Sequence, residues 1–276
     1  MRIDAHHHCW QLDRFNYPWM TPDLKPLLRN FGPGDLHPLL AIQRFDRSVL
    51  VQTISSLDET RWFLELAERH DWIAGVVGWV DLTDPTLDNT LDELQRHPKF
   101  VGVRHQVHDE PDPRWLVRDD VLGGLARLAG RAIPYDLLVR PQHLPAAIEV
   151  ARRLPELSLV IDHVAKPAIT SGGWDDWAAP FAELAAHPNV SCKLSGMITE
   201  ADWQRWQPSD LRPYLEHALD CFTPERLMFG SDWPVCLLAG SYAQVVAALE
   251  KNLAALPAAQ QAAVFGGTAV RVYGLA

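Results

Sequence analysis

Short apolar segments alternate with longer amphipathic segments along this whole chain, and that alternation constrains the fold more than any other feature. The apolar segments are rich in Val, Ile and Leu and are too short for helices, so they predict strands. The amphipathic segments have the spacing of helices that cover a sheet. Strands that alternate with helices pair in parallel. Eight such units predict an α/β fold of the (β/α)8 TIM-barrel type, as a single domain over residues 1–276.

Eight strands and seven helices are predicted from this pattern. The predicted strands are Arg2–Ala5, Ser48–Thr53, Ile73–Val80, Val101–Arg104, Tyr135–Val139, Ser158–Asp162, Val190–Leu194 and Leu227–Gly230. The predicted helices are Asp58–Arg69, Thr86–Arg96, Val121–Ala129, Leu144–Leu154, Trp174–Ala186, Pro208–Cys221 and Tyr242–Leu256. Two irregular segments, 10–34 and 195–213, interrupt the pattern. Because long loops in a compact domain are usually functional, we interpret the first as a lid and the second, with Trp203 and Trp206, as a pocket wall.

The net charge of −10 argues against nucleic acid as a partner, since such binding depends on Lys and Arg that neutralise phosphates. No segment has the character of a signal peptide or a membrane span, so no membrane partner is expected. The four cysteines form no CxxC pair, which favours reduced thiols over a disulfide framework. These features predict a cytoplasmic protein. The oligomeric state is left open, and a homo-oligomer is compatible with the sequence.

Polar residues gather where the predicted strands end, which is where barrel enzymes place their active sites. His6 and His8 follow the first strand two residues apart, so both imidazoles point to one face of the strand and can share one metal ion. The alternative is an exposed His-rich stretch near the terminus. Asp232 follows the eighth strand, where a carboxylate can act as a general base, ligate a metal or cap a turn.

Weaker candidates lie in or just after the fourth, sixth and seventh strands. His163 can act in catalysis or be an ordinary hydrogen-bonded loop residue. Arg104 and His105 supply a cation and a titratable donor, or form an ion-paired strand end. Lys193 has the weakest case, because a strand lysine can extend its amine to solvent. No phosphate-binding glycine loop or nucleophile elbow follows any of these strands.

Five short motifs at strand ends occur together in this chain. They are Asp-Ala-His-x-His at 4–8, Gly-Val-Arg-His at 102–105, Asp-His-x-x-Lys-Pro at 162–167, Lys-Leu-Ser-Gly at 193–196 and Gly-Ser-Asp-Trp-Pro at 230–234. In this order the chain resembles the amidohydrolase superfamily, and more narrowly its branch of sugar lactonases that act on L-fucono- and L-rhamnonolactone. The resemblance covers nearly the whole chain. It implies a deformed (β/α)8 barrel that hydrolyses a sugar-acid lactone, an L-fuconolactone-like aldonolactone of L-fucose degradation, to the free hydroxy acid.

The resemblance also implies which residues take part in the reaction. Asp232 takes a proton from the attacking water, and His163 and His105 complete the catalytic group. Arg104 and His105 contact the substrate, where they polarise the ester carbonyl and bind sugar hydroxyl groups. The resemblance therefore predicts a hydrolase acting on a carboxylic ester bond, with a small-molecule sugar lactone as its partner.

The remaining candidates bind a metal ion or the sugar ring. His6, His8 and Asp232 are the candidate ligands of one divalent metal, with zinc as the expected ion. Trp10 and Trp233 are the candidate substrate-binding aromatics, because aromatic faces pack on the apolar faces of pyranoses. For most of the eleven tryptophans core packing is the ordinary role.

One departure from the family pattern bears on the metal. Metal-dependent members add a histidine on strand five, or a Lys or Glu on strand four, whereas strand five here carries Asp136. A lactone is an activated ester, so two versions remain: hydrolysis with one zinc ion and hydrolysis without a metal. Arg104 keeps open a metal-dependent decarboxylase, or another hydrolase of the superfamily acting on a small carboxylate. A sugar-binding barrel without catalysis is the other alternative.

Overall fold

The computed structural model describes residues 1–276, and its centre is one sheet of eight parallel strands. Neighbouring strands pair in chain order. Their bounds are β1 (Ile3–His7), β2 (Arg47–Val51), β3 (Ile73–Gly78), β4 (Phe100–His105), β5 (Tyr135–Leu137), β6 (Leu159–Ile161), β7 (Val190–Leu194) and β8 (Leu227–Phe229). All eight predicted strands are confirmed, with small shifts at their ends.

The first and last strands meet just beyond their carboxyl ends. His7 and Trp233 form a parallel bridge. The His8 N–H donates to the Trp233 carbonyl at 2.7 Å, and the Asp232 N–H donates to the His6 carbonyl at 2.8 Å. No regular ladder joins β1 and β8 below this point, so the barrel is nearly closed. The predicted (β/α)8 architecture is therefore confirmed.

Helices cover the outside of the barrel. Their bounds are α1 (Pro33–Ile42), α2 (Leu57–Arg69), α3 (Leu87–Leu94), α4 (Asp119–Gly130), α5 (Leu144–Arg153), α6 (Asp175–Ala185), α7 (Pro208–Cys221), α8 (Tyr242–Leu253), α9 (Ala258–Ala262) and α10 (Thr268–Tyr273). The seven predicted helices correspond to α2–α8. The helix α1 was not predicted, because Pro38 lies inside it and obscures the pattern, although Pro33 suits a first helical turn. None of the helices combines the length and apolar character needed to span a bilayer.

The barrel interior is apolar near the amino ends of the strands and polar near their carboxyl ends. The apolar cluster includes Tyr273 and Leu275, which the end of the chain inserts from below. Its strand members are Ile3, Ala5, Val49, Val51, Ala74, Val77, Val160 and Met228. Above this layer lie charged side chains that are fully or almost fully buried. A buried charge destabilises the folded protein unless it is paired. This division positions the candidate site at the carboxyl ends of the strands.

Candidate active site

Two histidines at the end of strand β1 lie at the barrel mouth. The pairing of β1 with β2 shifts register between Asp4 and His7, which marks an irregularity in the strand. His6 and His8 point inward together, with their Nε2 atoms 3.2 Å apart, as their spacing predicted. His7 turns to the other side of the strand, where its Nε2 lies 2.9 Å from Ser48 Oγ. The structure therefore brings the candidate pair together and leaves His7 outside the site.

The loop after β8 holds Asp232 against this pair. Asp232 has a left-handed backbone with φ 56°, an uncommon conformation outside glycine. Asp4 fixes the turn, since one of its carboxylate oxygens accepts from the Ser231 N–H at 2.9 Å and the other from the Tyr242 hydroxyl at 3.2 Å. The Ser231 hydroxyl in turn accepts from the Trp233 N–H at 3.0 Å. Asp4 thus supports the site by fixing the loop that carries Asp232.

His6, His8, His163 and Asp232 form a group that we call the Asp232 cluster. The nitrogen and oxygen atoms of this cluster converge like ligands around a cation. His8 Nδ1 lies 2.7 Å from the Val51 carbonyl, which can only accept, so Nδ1 carries the proton and Nε2 presents a lone pair. Asp232 Oδ1 lies 3.3 Å from His8 Nε2 and 3.8 Å from the Nε2 atoms of His6 and His163. This buried oxygen has no hydrogen-bond partner. The donor atoms of His6, His8 and Asp232 therefore fit one divalent metal ion.

The charge states of these groups follow from their burial and proximity. Burial alone would raise the pKa of Asp232, but the imidazoles of His163, His8 and His6 outweigh it and hold the pKa below its usual range. Burial lowers the pKa of His163 to about 4 and the pKa of His6 well below its ordinary value. At pH 7 an ionised carboxylate thus faces the neutral imidazoles of His6 and His163. Such a group can accept a proton from water or bind a cation.

His163 is oriented by a strained turn after β6. The four residues His163–Lys166 all have positive φ, and each non-glycine residue in that region costs about 1–2 kcal/mol. Trp177 Nε1 donates to the Val164 carbonyl at 2.6 Å, which fastens the turn. His163 Nδ1 lies 2.8 Å from Ser195 Oγ. The turn and Ser195 together aim His163 Nε2 towards the cluster, and strain of this kind is concentrated at functional sites.

Two buried cations lie beside the cluster. Arg104 Nη1 lies 2.8 Å from Asp162 Oδ2 and 3.2 Å from His6 Nε2, where it competes with a metal ion for the lone pair. Lys193 Nζ lies 2.5 Å from Asp136 Oδ2, 3.0 Å from Asp162 Oδ1 and 3.2 Å from His6 Nδ1. The alternative that Lys193 extends to solvent is wrong, because its side chain is fully buried. These contacts fix the ring of His6.

A cavity of about 180 Å³ opens above the cluster. Four candidates from the sequence line it, namely His8, Arg104, His163 and Asp232. The sequence assigned no role to a further set in its wall: Thr53, Gln106, His108, Asp109 and Lys166. These residues lie in loops after the strands, where side-chain direction cannot be read from periodicity. Their place soon after a strand end is the one signal that pointed to them.

His105 does not reach the cavity, which corrects its predicted catalytic and substrate-binding roles. Its Nε2 lies 2.7 Å from Glu110 Oε1, and its Nδ1 accepts from Trp79 Nε1 at 3.0 Å. Its ring stacks on Trp115 with centroids 4.2 Å apart. Successive strand residues face opposite sides, so Arg104 and His105 cannot both point inward. Both ring nitrogens of His105 are engaged outside the site.

Trp10 and Trp233 are core residues, which corrects their predicted contact with substrate. Trp10 is fully buried, and its Nε1 donates to the carbonyls of Leu27 at 3.2 Å and Arg29 at 2.8 Å. Trp233 is 2% exposed, and both rings pack edge-on against Phe31. Neither tryptophan lines the cavity.

The two irregular segments have different outcomes. Segment 10–34 places Trp19 in the cavity wall, where its Nε1 donates to the Thr53 carbonyl at 3.0 Å. Segment 195–213 contributes no residue to that wall, and Trp203 is 42% exposed. The prediction that the second segment walls the pocket is therefore wrong. It supports the site through Ser195 instead.

The barrel and its cluster define the class of protein. In parallel barrels of this kind, catalytic residues stand at the carboxyl ends of several different strands, as His6, His163 and Asp232 do here. A family model described as Amidohydrolase matches residues 3–275, and the chain belongs to that family.

Curated and solved relatives narrow the comparison. The chain is 45% identical over 286 residues to an L-fucono-1,5-lactonase of Burkholderia multivorans, covering 100% of this chain and 96% of the relative. It is 43% identical to an L-fucono-1,5-lactonase of Burkholderia ambifaria, covering 87% of this chain and 83% of the relative. A crystal structure of an amidohydrolase from Burkholderia multivorans with bound zinc superposes with a TM-score of 0.95 at 43% identity, over 100% of both chains.

Proposed function

We propose that this protein is a hydrolase that opens a sugar-acid lactone, with L-fucono-1,5-lactone as the favoured substrate and Asp232 as the group that activates water. The observation that carries the proposal is Asp232 itself, a buried and ionised carboxylate that lines the cavity and whose Oδ1 has no hydrogen-bond partner. The names of the two Burkholderia relatives support the substrate and a role in L-fucose breakdown. They do not favour the decarboxylase alternative.

The reaction needs a proton acceptor for water and donors for the oxyanion. The Asp232 carboxylate accepts a proton as the water oxygen bonds to the lactone carbonyl carbon. The tetrahedral intermediate then breaks the bond between the former carbonyl carbon and the ring oxygen, and the ring oxygen takes the proton from Asp232 to become a hydroxyl group. Arg104 lines the cavity, where its positive charge stabilises the oxyanion. When Ser195 donates to His163 Nδ1, the proton on His163 Nε2 faces the same space.

A metal ion is the second part of the proposal. His6, His8 and Asp232 would hold one zinc ion, and the zinc-bound structure of the Burkholderia multivorans protein supports that choice. Zinc would supply a Lewis acid for the carbonyl and lower the pKa of a bound water. Arg104 beside His6 Nε2 and the ionised Asp232 also fit the version without a metal. In both versions Asp232 binds and orients the attacking water.

Hydrolysis of an aldonolactone panel tests this function. Opening is followed by a pH indicator at pH 7 on chelator-treated protein and on the same protein reloaded with zinc, with the spontaneous rate subtracted. We expect rapid opening of L-fucono-1,5-lactone. Activity that survives the chelator identifies the metal-free version, and activity restored only by zinc identifies the zinc version. Failure to accelerate any lactone in either state would contradict the proposal.

Gly196→Ala is expected to disturb His163 and lower activity. Gly196 has φ +59°, and an added Cβ would lie 2.5 Å from His163 Nδ1. Displacement of a positioned group by about 1 Å can cost about 100-fold, so we expect kcat/KM for the lactone to fall by at least about tenfold. Gly172→Ala is the matched control, because Gly172 also has positive φ but nothing lies within 4 Å of an added Cβ. Equal activities of the two variants would contradict the role assigned to His163.

A further inference from the structure

A second group of polar side chains lines the cavity, apart from the Asp232 cluster. Gln106, His108 and Asp109 follow β4, and Lys166 ends the strained turn after β6. None of their side chains hydrogen-bonds to a side chain of the cluster. They therefore face the part of a ligand that the cluster does not reach.

These side chains offer donors and acceptors side by side. Lys166 Nζ is fixed by Glu200 Oε1 at 2.5 Å, and an ammonium has two further protons to donate. Asp109 Oδ2 lies 3.4 Å from His108 Nε2, and the Asp109 side chain is 59% exposed, which leaves carboxylate oxygens free to accept. The Gln106 side-chain amide can do both. Neighbouring hydroxyl groups, each of which donates and accepts, match this arrangement.

The charge of this group disfavours an anionic ligand. Lys166 is the group's one cation and is already paired with Glu200, and Asp109 is its one anion. Burial lowers the pKa of His108, so its imidazole is neutral at pH 7. Arg140 is exposed and does not line the cavity. Asp109 and Lys166 carry opposite charges, so the group has no excess positive charge with which to bind a carboxylate on a substrate.

The size of the cavity limits the ligand further. About 180 Å³ suits one sugar ring rather than an oligosaccharide. Trp19, Leu138 and Val235 give the same cavity an apolar side against which ring C–H groups can pack. A small uncharged ring with several hydroxyl groups matches both the polar side and the apolar side of the cavity.

We propose that Gln106, Asp109 and Lys166 are specificity-determining residues that bind the ring hydroxyl groups of a neutral lactone. They reject lactones that lack these hydroxyl groups or that carry a free carboxylate. This inference rests on the proposed function, because it concerns the same cavity. A site built to bind hydroxyl groups rejects an analogue without them strongly, since its polar groups are then left unpaired.

The test compares three substrates on the parent and on the variants Lys166→Met and Asp109→Asn. L-fucono-1,5-lactone is neutral and hydroxylated, δ-valerolactone has no hydroxyl groups, and D-glucaro-1,4-lactone carries a carboxylate. We expect the parent to prefer the first over the second by at least about 100-fold in kcat/KM. Each variant should lower kcat/KM for L-fucono-1,5-lactone by at least about tenfold, mainly through KM, and leave that for δ-valerolactone within about threefold. Asp109→Asn should also weaken the discrimination against the carboxylated lactone.

Lys251→Met is the matched control, because Lys251 is exposed on α8 and far from the cavity wall. Asp109 is half-exposed, so Asp109→Asn tests the inference even where Lys166→Met loses stability. Where δ-valerolactone opens too slowly to time, its inhibition constant replaces kcat/KM. Equal losses on all substrates, or no loss, would overturn the inference. A parent that opens no lactone at all would instead contradict the proposed function.

Discussion

Asp232→Asn is expected to lower kcat for lactone opening by at least about 100-fold, because general-base assistance contributes about 100- to 10,000-fold. Asparagine keeps the shape of the side chain but cannot take the proton from water. Asp232 lies in a buried cluster, within 3.3 Å of His8 Nε2, so the amide can still occupy the same position. The measurement is kcat and KM for L-fucono-1,5-lactone at pH 7.

Two controls separate the catalytic role of Asp232 from other effects. Asp220→Asn changes an exposed aspartate on α7 and should leave activity unchanged. Metal content is measured on both proteins, because Asp232 is also a candidate ligand. A loss of rate at equal metal content assigns the effect to the base. Near-native activity of Asp232→Asn would remove Asp232 from the mechanism.

Lys193→Met is expected to have the largest effect on stability. Lys193 is fully buried between Asp136 and Asp162, and removing one partner of a buried ion pair costs about 3–5 kcal/mol. Burial already raises the pKa of Asp136 to about 6, and loss of the ammonium raises it further above its unfolded value. A carboxyl group whose pKa is raised in the folded state stabilises the fold at low pH. The variant should therefore lose most unfolding free energy at pH 8 and less at pH 5.

Urea denaturation of parent and variant at pH 8 and pH 5 measures this effect. The double variant Lys193→Met with Asp136→Asn removes one charge of each sign, so it should recover part of the stability at pH 8. Together with the single variant Asp136→Asn, these proteins complete a double-mutant cycle that gives the coupling free energy between the two residues. A loss of unfolding free energy below about 1 kcal/mol at pH 8 is what an ordinary surface ion pair gives. Such a result would contradict the assignment of Lys193 to a buried ion pair.

The elements and the histidine and aspartate residues of the Asp232 cluster could be predicted because they depend on local spacing and on the positions of strand ends. Strand and helix periods located β1–β8 and α2–α8. The two-residue period placed His6 and His8 together. The same period means that adjacent strand residues such as Arg104 and His105 face opposite sides. The prediction for His105 failed because it placed both side chains in the site.

Other features depend on contacts between distant parts of the chain. The Tyr273 hydroxyl donates to both carboxylate oxygens of Asp136 at 2.9 Å, which links α10 to the charged network inside the barrel. No pattern around Tyr273 indicates this contact. Trp10 and Trp19 lie in one irregular segment, and only its folded path decides which ring is buried and which lines the cavity. The burial of Lys193 likewise follows from its two carboxylate partners, Asp136 in β5 and Asp162 directly after β6.

A single-turnover experiment in ¹⁸O-labelled water tests most directly whether Asp232 activates water. Excess protein is mixed with L-fucono-1,5-lactone, and both the product and the peptide containing Asp232 are analysed by mass spectrometry. Attack by water that Asp232 deprotonates puts one ¹⁸O in the carboxylate of the product and none in the peptide. An unlabelled product with ¹⁸O in Asp232 would show that the carboxylate attacks the lactone itself, and would contradict the assignment of Asp232 as the base.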